Sequence, residues 1–593
     1  MRRPHIRRVA IAVAVTTAAT LPAGPVFAAA PDSPARQATS ASSTVDAARA
    51  AAFAHASATG VTEGDTLQAK DVMTDPDGKR HVRFVRAHQG LPVLGGDLVV
   101  HLGKQSAYLG VTRAADHAVE PATTEAKLTP QQAEQKAAAV TKGDASGAEL
   151  VVDARDGAAA LAYQVRVTDS ETAESGGSST VVVDARTGKI RSNTPDSDEF
   201  ISPSLGEALR KRGEQATPET GTAATQPSGP VGTTAATHYP VTATGSGKSL
   251  FVGSVTLKTT RTARTSFRLK DRTRWNTETR DARGQELEAF SRGKKFTDGD
   301  NKWGTGTTSS RTTAAVDAQY GITKTLDFYK KTFGRKGIKN NSAGARAMVH
   351  FGNKVGNAFW DSTCGCMLYG DGDGDLFKKP LVVLDVTGHE LTHGVVDATA
   401  ALEPTRVDQD GNQFGEPGAL NESLADIFGS NVEFATNNPN NPPNYLVGEK
   451  LGLAQKFLRR LDHPSLDQLE GTIDYWSPAA YDTEVHAGSG VSSHAYYLLA
   501  EGSGRKTIGG VRYDSPTYDG SRVTGIGRAK ATAIFYRALT RYMVSTTDFH
   551  DARKATLKAA ADMYGANSTE YKTVGKAWAA VNVTTANTPA AGH

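Results

Sequence analysis

The chain of 593 residues contains only two cysteines, Cys364 and Cys366. Cysteines two positions apart can reach disulfide distance, and a local disulfide suits an exported protein. The pair could instead bind a metal. The sequence has no second cysteine pair, however, which argues against a zinc site built from thiolates.

Strong charge and long apolar runs are also missing. The formal net charge is +4, and no basic block is long enough to indicate binding to nucleic acid. Residues 1–30 combine a basic start, a short apolar run from Val9 and small residues before Pro31. This layout predicts a secretory signal peptide, with an uncleaved membrane anchor as the alternative. We therefore expect a secreted, extracellular protein that has no membrane contact in its mature form.

Local patterns divide the remainder of the chain. Residues 61–195 contain alternating apolar residues between turn signals and a short helical pattern, which predicts a compact α+β region. Residues 196–245 are rich in threonine, proline, glycine and serine, as is typical of an exposed linker where proteolytic cleavage concentrates. From about residue 246 a large domain follows, strand-like at first and helix-like after residue 384.

The stretch LDVTGHELTHGVVD, residues 384–397, carries the first chemical signal. On a helix, His389 and His393 share a face because they are four residues apart, so both could bind one zinc ion. Glu390 lies at the edge of that face, where it can reach a metal-bound water as a general base. An H-E-x-x-H sequence can also arise by chance, so other features must decide.

A catalytic zinc needs about three protein ligands and an open position. The metzincin spacing is absent, because Val396 stands where the metzincin glycine would be. Glu422 and Asp426 are four apart in GALNESLADIFGSNVEF. Glu422 could therefore ligate zinc while Asp426 accepts the free ring N–H of a zinc histidine. A solvated helix face is the alternative, but apolar residues surround this pair.

With these motifs the chain resembles the thermolysin-like family of zinc endopeptidases. The resemblance also includes GNAFWD, YGDGDGD and HAGSG, in the family's order, and covers about residues 246–583. It implies an α+β fold with a two-lobed catalytic unit and a zinc cleft between the lobes, preceded by an α+β propeptide. The boundaries that we expect are a signal peptide at 1–30, a propeptide at 31–230 with its compact part at about 61–195, a β-rich catalytic half at 231–383, a helical half at 384–583 and a tail at 584–593.

The resemblance also implies residue roles. His389, His393 and Glu422 would bind zinc, and Glu390 would activate the water. His486 matches the histidine that hydrogen-bonds the oxyanion, and Asp482, four residues earlier, is expected to orient it. The substrate-binding residues implied are Asn357 and Ala358, which pair with substrate backbone, Arg459, which holds a substrate carbonyl, and Val386, Leu451 and Leu458, which line the pocket for the residue after the cut.

A calcium site is expected beside the zinc helix. Asp385 lies one helical turn before His389, and Glu433 lies about three turns after Glu422 on the same face. Together with Glu449 these carboxylates would repel one another without a cation, and hard oxygen ligands suit Ca²⁺. Separate solvated acids are the alternative. The resemblance places one ion here, completed by Asn444 and the backbone carbonyl of Leu446.

One departure stands out. The family usually has a tyrosine between the second histidine and the glutamate as a second oxyanion donor, and residues 394–421 contain none. A non-catalytic binding protein and an exopeptidase are alternative readings, but Glu390 argues against the first and the strand-pairing motifs against the second. We expect a monomeric zinc endopeptidase made as a zymogen. It should cut proteins or peptides before a bulky apolar residue, and its propeptide should act as inhibitor and folding assistant until the chain cleaves itself within 196–245.

Overall fold

The computed structural model describes residues 34–587, except 118, 142, 156, 169–177, 212–237, 288 and 468–470. The predicted signal peptide, the middle of the predicted linker and the last six residues of the predicted tail lie outside the described residues. No helix among those described combines the length and the apolarity needed to span a bilayer. The α+β architecture expected from the sequence is confirmed.

The first region is a nine-stranded sheet with helices packed on it. Apolar residues alternate along its strands, so one face buries Val82, Phe84 and Val100 beneath Ala48 and Ala52 of the first helix. Its elements are α1 (Pro34–Ala54), α2 (Ala56–Thr59), β1 (Asp65–Thr74), β2 (Arg80–His88), β3 (Leu91–Leu94), β4 (Leu98–Leu102), β5 (Tyr108–Arg113), α3 (Pro130–Thr141), β6 (Asp144–Asp153), β7 (Ala160–Thr168), β8 (Ser178–Asp184) and β9 (Ile190–Pro195). The sheet order is β5-β4-β2-β3-β6-β7-β8-β9, with β1 beside β2.

The second region contains two further sheets around one long helix. The elements are β10 (Ser197–Glu199), α4 (Pro203–Lys211), β11 (Val241–Lys248), β12 (Ser254–Ala263), β13 (Ser266–Arg268), β14 (Lys270–Asp271), β15 (Thr277–Gln285), β16 (Lys294–Lys295), β17 (Thr297–Asp298), β18 (Lys302–Trp303), α5 (Arg311–Phe333), β19 (Arg346–Phe351), β20 (Ala358–Asp361) and β21 (Cys366–Tyr369). A seven-stranded sheet has the order β10-β20-β21-β19-β15-β14, with β16 beside β15, and a five-stranded sheet has the order β17-β13-β12-β11-β18. Cys364 and Cys366 form a disulfide.

The third region is mainly helical, as the patterns after residue 384 predict. Its elements are α6 (Leu384–Asp397), β22 (Arg406–Val407), β23 (Gln413–Phe414), α7 (Glu416–Thr436), β24 (Leu446–Val447), β25 (Arg459–Arg460), α8 (Val485–Gly488), α9 (Gly490–Ala500), β26 (Gly504–Ile508), β27 (Val511–Ser515), α10 (Arg528–Arg541), α11 (Phe549–Tyr564) and α12 (Thr569–Ala579). Short 3-10 helices occupy Arg272–Arg274, Phe290–Arg292, Pro464–Asp467 and Pro478–Asp482.

Part of the expected linker is ordered structure. Residues 197–199 form β10, which pairs antiparallel with β20 of the catalytic sheet. The helix α4 buries Leu205 and Leu209 completely in the core of the catalytic region. The exposed-linker expectation therefore fails for residues 197–211, because this stretch supplies apolar side chains and backbone hydrogen bonds that its Ser/Glu/Pro composition does not reveal.

The helices α6 and α7 cross at two glycines, which sets the spacing of the site. A Cβ atom on Gly388 would lie 2.9 Å from the Cα of Gly429, and one on Gly429 would lie 2.9 Å from the carbonyl oxygen of Asp385. Neither position has room for a side chain, so the two backbones approach closely. The crossing brings Glu422 and Asp426 of α7 to the histidine face of α6.

Candidate active site

The helix α6 holds the histidines in a fully buried position. His389 and His393 are both completely inaccessible, as is Glu390 between them. Nδ1 of His389 lies 2.7 Å from Oδ1 of Asp426, and Nδ1 of His393 lies 3.0 Å from Oδ1 of Asn421. Both partners are acceptors, so each ring carries its hydrogen on Nδ1 and turns the lone pair of Nε2 inward.

The two inward lone pairs meet a carboxylate. The Nε2 atoms of His389 and His393 lie 3.0 Å apart, and the Glu422 oxygens lie 3.3 Å and 3.6 Å from them. Two facing lone pairs and a buried carboxylate repel unless a cation lies between them. The nitrogen and oxygen donor set fits zinc, with a fourth position left for water or substrate. These three residues could therefore hold a metal ion.

Asp426 links the histidine to Arg459. Besides the contact with His389, its two carboxylate oxygens accept hydrogen bonds of 2.8 Å and 3.0 Å from Arg459. Burial alone would raise the pKa of Asp426, but Arg459 and His389 outweigh it and hold that pKa below its usual range. The carboxylate therefore stays charged and fixes the orientation of the His389 ring.

Glu390 is placed as a base. Both of its carboxylate oxygens are buried and have no hydrogen-bond partner among the described residues. Burial, together with the charges of Glu422 and Asp198, raises its pKa well above the ordinary value. An orphaned carboxyl of this kind fits a group that receives a proton from a bound water.

Nε2 of His486 lies 3.3 Å from Oε2 of Glu422, and the acid that holds the His486 ring is not the predicted one. Its Nδ1 lies 2.9 Å from Glu484, whose carboxylate also accepts the His486 backbone N–H as the cap of α8. Asp482 instead pairs with Arg406 at 2.8 Å, and its side chain is 65% exposed. The expectation that Asp482 orients His486 is corrected: the cap geometry brings the acid two residues before the histidine to the ring.

The strand β10 lies in the cleft along the predicted substrate-binding strand. Ser197, Asp198 and Glu199 pair with Asp361, Trp360 and Phe359, in that order. The N–H of Phe200 donates to the carbonyl of Ala358 at 3.1 Å, and the N–H of Ile201 donates to Oδ1 of Asn357 at 3.0 Å. Asn357 and Ala358 thus hold a segment of this chain.

An apolar pocket receives the ring of Phe200. The ring is completely buried in the same apolar cluster as Val386, Leu451 and Leu458. Its edge meets His389 with centroids 5.1 Å apart, and the Arg459 guanidinium lies 5.1 Å above it. The ring of Phe200 is therefore packed against His389 and Arg459, two residues to which the sequence assigns roles at the site.

The predicted calcium ligands also converge. Asp385 and Glu433 are buried and Glu449 is half-buried, and one oxygen each of Glu433 and Glu449 is buried without a hydrogen-bond partner among the described residues. Burial raises the pKa of Glu433, with Glu449 and Asp385 adding to the shift. The Asn444 side chain donates to Glu449 at 2.8 Å, and Leu446 donates its N–H to Asn444 at 2.6 Å. Such a cluster of orphaned carboxylate oxygens fits a hard cation.

One residue of this cluster was missed. Asn441 donates from its side chain to Glu433, and its own Oδ1 is buried without a partner among the described residues. The only signal in the sequence is the run of asparagines in NNPNNPPN, which does not single out one position.

Comparisons with known proteins identify the family. Residues 244–397 match the thermolysin metallopeptidase catalytic domain, and residues 412–583 match its alpha-helical domain. Residues 65–115 match the fungalysin/thermolysin propeptide motif, and residues 127–193 match the peptidase propeptide and YPEB domain. The chain belongs to the thermolysin family of metallopeptidases, with propeptide domains ahead of the catalytic ones.

Individual relatives agree with this assignment. A transglutaminase-activating metalloprotease of Streptomyces mobaraensis is 38% identical over 528 residues, which cover 88% of this chain and 61% of that protein. A thermolysin of Alicyclobacillus acidocaldarius is 33% identical over 531 residues, covering 86% and 84%. The precursor of protealysin from Serratia proteamaculans gives a TM-score of 0.38 at 27% identity, covering 52% of this chain and 87% of that one, which is too low to establish a shared fold. Thermolysin-family enzymes use zinc and calcium.

Proposed function

We propose that this chain is the zymogen of a secreted zinc endopeptidase. The observation that carries the proposal is the convergence of His389, His393 and Glu422 beside the unpartnered carboxylate of Glu390. The three converging residues would hold the zinc. A bound zinc ion would supply Lewis-acid polarisation and a water that loses its proton near neutral pH.

The chain's own residues would do the rest of the work. Glu390 would take the proton of the water and later pass it to the leaving amine. His486, held by Glu484, would donate a hydrogen bond to the scissile carbonyl as negative charge develops on it. The substrate backbone would be fixed by Asn357, Ala358 and Arg459. Because these contacts do not involve substrate side chains, internal peptide bonds in many sequences could be bound.

The proposal also covers specificity, partners and location. The pocket of Val386, Leu451 and Leu458 would select a bulky apolar residue after the cut. The propeptide would act as inhibitor, since β10 fills the cleft, and as folding assistant. We also propose export by the predicted signal peptide, a monomeric mature form and one structural calcium ion at Asp385, Glu433 and Glu449, completed by Asn444 and Leu446.

The variant Glu390→Gln tests the proposal. The amide has the same shape but cannot take a proton, so zinc content should persist while casein hydrolysis falls at least about a hundredfold. Each precursor is first processed by a tagged wild-type enzyme that is then removed. Glu286→Gln, at an exposed glutamate, is the matched control and should retain activity. Casein hydrolysis by Glu390→Gln within tenfold of wild type would contradict the proposed role.

A further inference from the structure

The segment in the cleft is held by the groups that would hold a substrate. Asn357 makes two hydrogen bonds with the backbone of Ile201. Its Oδ1 accepts the Ile201 N–H, and its Nδ2 donates to the Ile201 carbonyl at 2.9 Å. Ala358 accepts the N–H of Phe200. The chain therefore runs antiparallel to β20 in an extended conformation across the site.

Two carbonyl groups of the segment face side chains that can donate hydrogen bonds. The carbonyl oxygen of Glu199 lies 2.8 Å from Nε2 of His486. The carbonyl oxygen of Phe200 lies 3.5 Å from Nη1 of Arg459. The carbonyl of the Glu199–Phe200 peptide bond thus faces His486, the proposed oxyanion donor. The next carbonyl, that of Phe200, faces Arg459, which is proposed to hold a substrate carbonyl.

The side chains on either side of this bond also contact residues of the site. The ring of Phe200 is completely buried, with its edge toward His389 and the Arg459 guanidinium over its face. On the other side, Oδ1 of Asp198 accepts a hydrogen bond of 3.3 Å from Asn421, the residue just before the proposed zinc ligand Glu422. At the Glu199–Phe200 bond the proposed oxyanion donor His486 on the carbonyl coincides with a completely buried aromatic ring on the next residue.

We propose that the Glu199–Phe200 bond is the first bond that this chain cuts in itself. The inference rests on the proposed endopeptidase function and assigns its first substrate. One water is consumed: its hydroxyl joins the carbonyl carbon of Glu199, the C–N bond breaks, and a hydrogen goes to the Phe200 nitrogen. The products are a carboxyl terminus at Glu199 and a new amino terminus at Phe200.

The cut leaves α4 on the catalytic part. Leu205 and Leu209 are completely buried in the catalytic core cluster. The Ser204 N–H also donates to Asn412 at 2.9 Å. The first processed form therefore begins at Phe200 and retains residues 200–211, so it is longer at its amino terminus than a product cut in the middle of the predicted linker.

The experiment follows the purified precursor by intact mass and by amino-terminal sequencing. We expect a new amino terminus that reads Phe-Ile-Ser-Pro-Ser. Because the bond lies in its own cleft, the rate constant should be unchanged on hundredfold dilution. The variant Glu390→Gln should remain uncut, Phe200→Leu should be cut at the same bond, and Phe200→Asp should be cut at least about tenfold more slowly there.

A peptide assay keeps the test independent of folding. The peptide TPDSDEFISPSL, residues 194–205, should be cut between Glu and Phe by the processed enzyme, and the same peptide with Asp in place of Phe should not. A first amino terminus anywhere else, or a rate proportional to concentration, would overturn the self-cleavage proposal while casein hydrolysis upholds the endopeptidase function. Absence of both self-cleavage and casein hydrolysis would overturn both.

Discussion

The Nδ1 atoms of His81 and His101 lie 2.8 Å apart on neighbouring strands of the propeptide sheet, where it contacts the catalytic helices. Nε2 of His81 reaches Asp75 at 3.0 Å, and Asp75 also accepts from Arg537 and Arg541 of α10. The other charged or titratable groups facing this pair are Arg83, Tyr542, Lys558 and Asp562. A titratable pair therefore lies within the contact between propeptide and enzyme.

We predict that acid loosens this contact. Burial lowers the pKa of His81 and, more strongly, that of His101, where Lys558 adds to the effect. Neutral histidine is thus favoured in the folded state, so its contribution is fully present above the ordinary value of 6.5 and is lost as pH falls below it. Asp75 has a lowered pKa and remains charged throughout this range. The loss should grow as pH falls below 6.5, and it should be larger for His101, whose pKa is lowered further than that of His81.

Hydrogen exchange of β2 and α10 in the Glu390→Gln precursor measures this loss. Exchange should rise between pH 7.5 and 5 after correction for the intrinsic rate. The variant His101→Gln, which cannot be protonated, should flatten the pH dependence, whereas His117→Gln, at a partly exposed histidine paired with Asp116, should leave it unchanged. An equal pH response in all three proteins would refute the prediction.

We predict that calcium stabilises the mature form through Glu433. Binding only to the folded state contributes about 2.7 kcal/mol at a hundredfold excess over Kd. In a Glu390→Gln background, which prevents self-digestion, excess calcium should raise the unfolding midpoint relative to a calcium-selective chelator with zinc retained. Glu433→Gln should remove most of that difference, and Glu286→Gln should keep it. An unchanged midpoint in the parent protein would rule out the site.

We predict that Glu484, rather than Asp482, sets the position of His486. Glu484→Gln weakens the charge that holds the ring but can still accept the backbone N–H groups of the α8 cap. It should lower kcat about tenfold with KM little changed, since an oxyanion donor acts mainly on the transition state. Asp482→Asn should stay within threefold of wild type. The reverse order of the two effects would restore the original assignment.

We predict that digests of denatured proteins show Phe, Leu or Ile after most cuts. Complete burial of such a side chain is worth about 1.5–3 kcal/mol over leaving it exposed, which corresponds to roughly a 10- to 100-fold preference. Mass spectrometry of the fragments counts the residue at this position. A majority of charged residues there would mean that the pocket at Leu451 and Leu458 does not select the substrate.

The zinc-type cluster could be predicted because helix geometry is local. Four-residue spacing places His389 over His393, and the same rule joins Glu422 to Asp426 on the next helix. The α+β character of the propeptide region and the helical character of the chain after residue 384 could likewise be predicted from periodicity and from the family motifs. Within each helix these pairs depend on neighbours one turn away, whereas the meeting of α6 with α7 was expected only from the family resemblance.

The parts that could not be predicted depend on contacts distant in sequence or on the local path of a loop. The pairing of β10 with β20 joins residues about 160 positions apart, and nothing in DSDEF indicates its partner. Asp482 and Glu484 are two residues apart, so only the turn after the 3-10 helix Pro478–Asp482 decides which acid faces His486. Spacing alone could not decide between them.

Phe200 lies against His389 and Arg459, in the place that we propose for the substrate residue after the cut. A substitution that widened this pocket or placed a charge in it would change the substrates that the enzyme cuts. The same substitution would change how well residue 200 of its own precursor fits. If the propeptide inhibits the enzyme and is removed by self-cleavage, as we propose, a change in the pocket alone would give a precursor that is active too early or that never matures. Residue 200 and the residues of the pocket must therefore evolve as a matched pair.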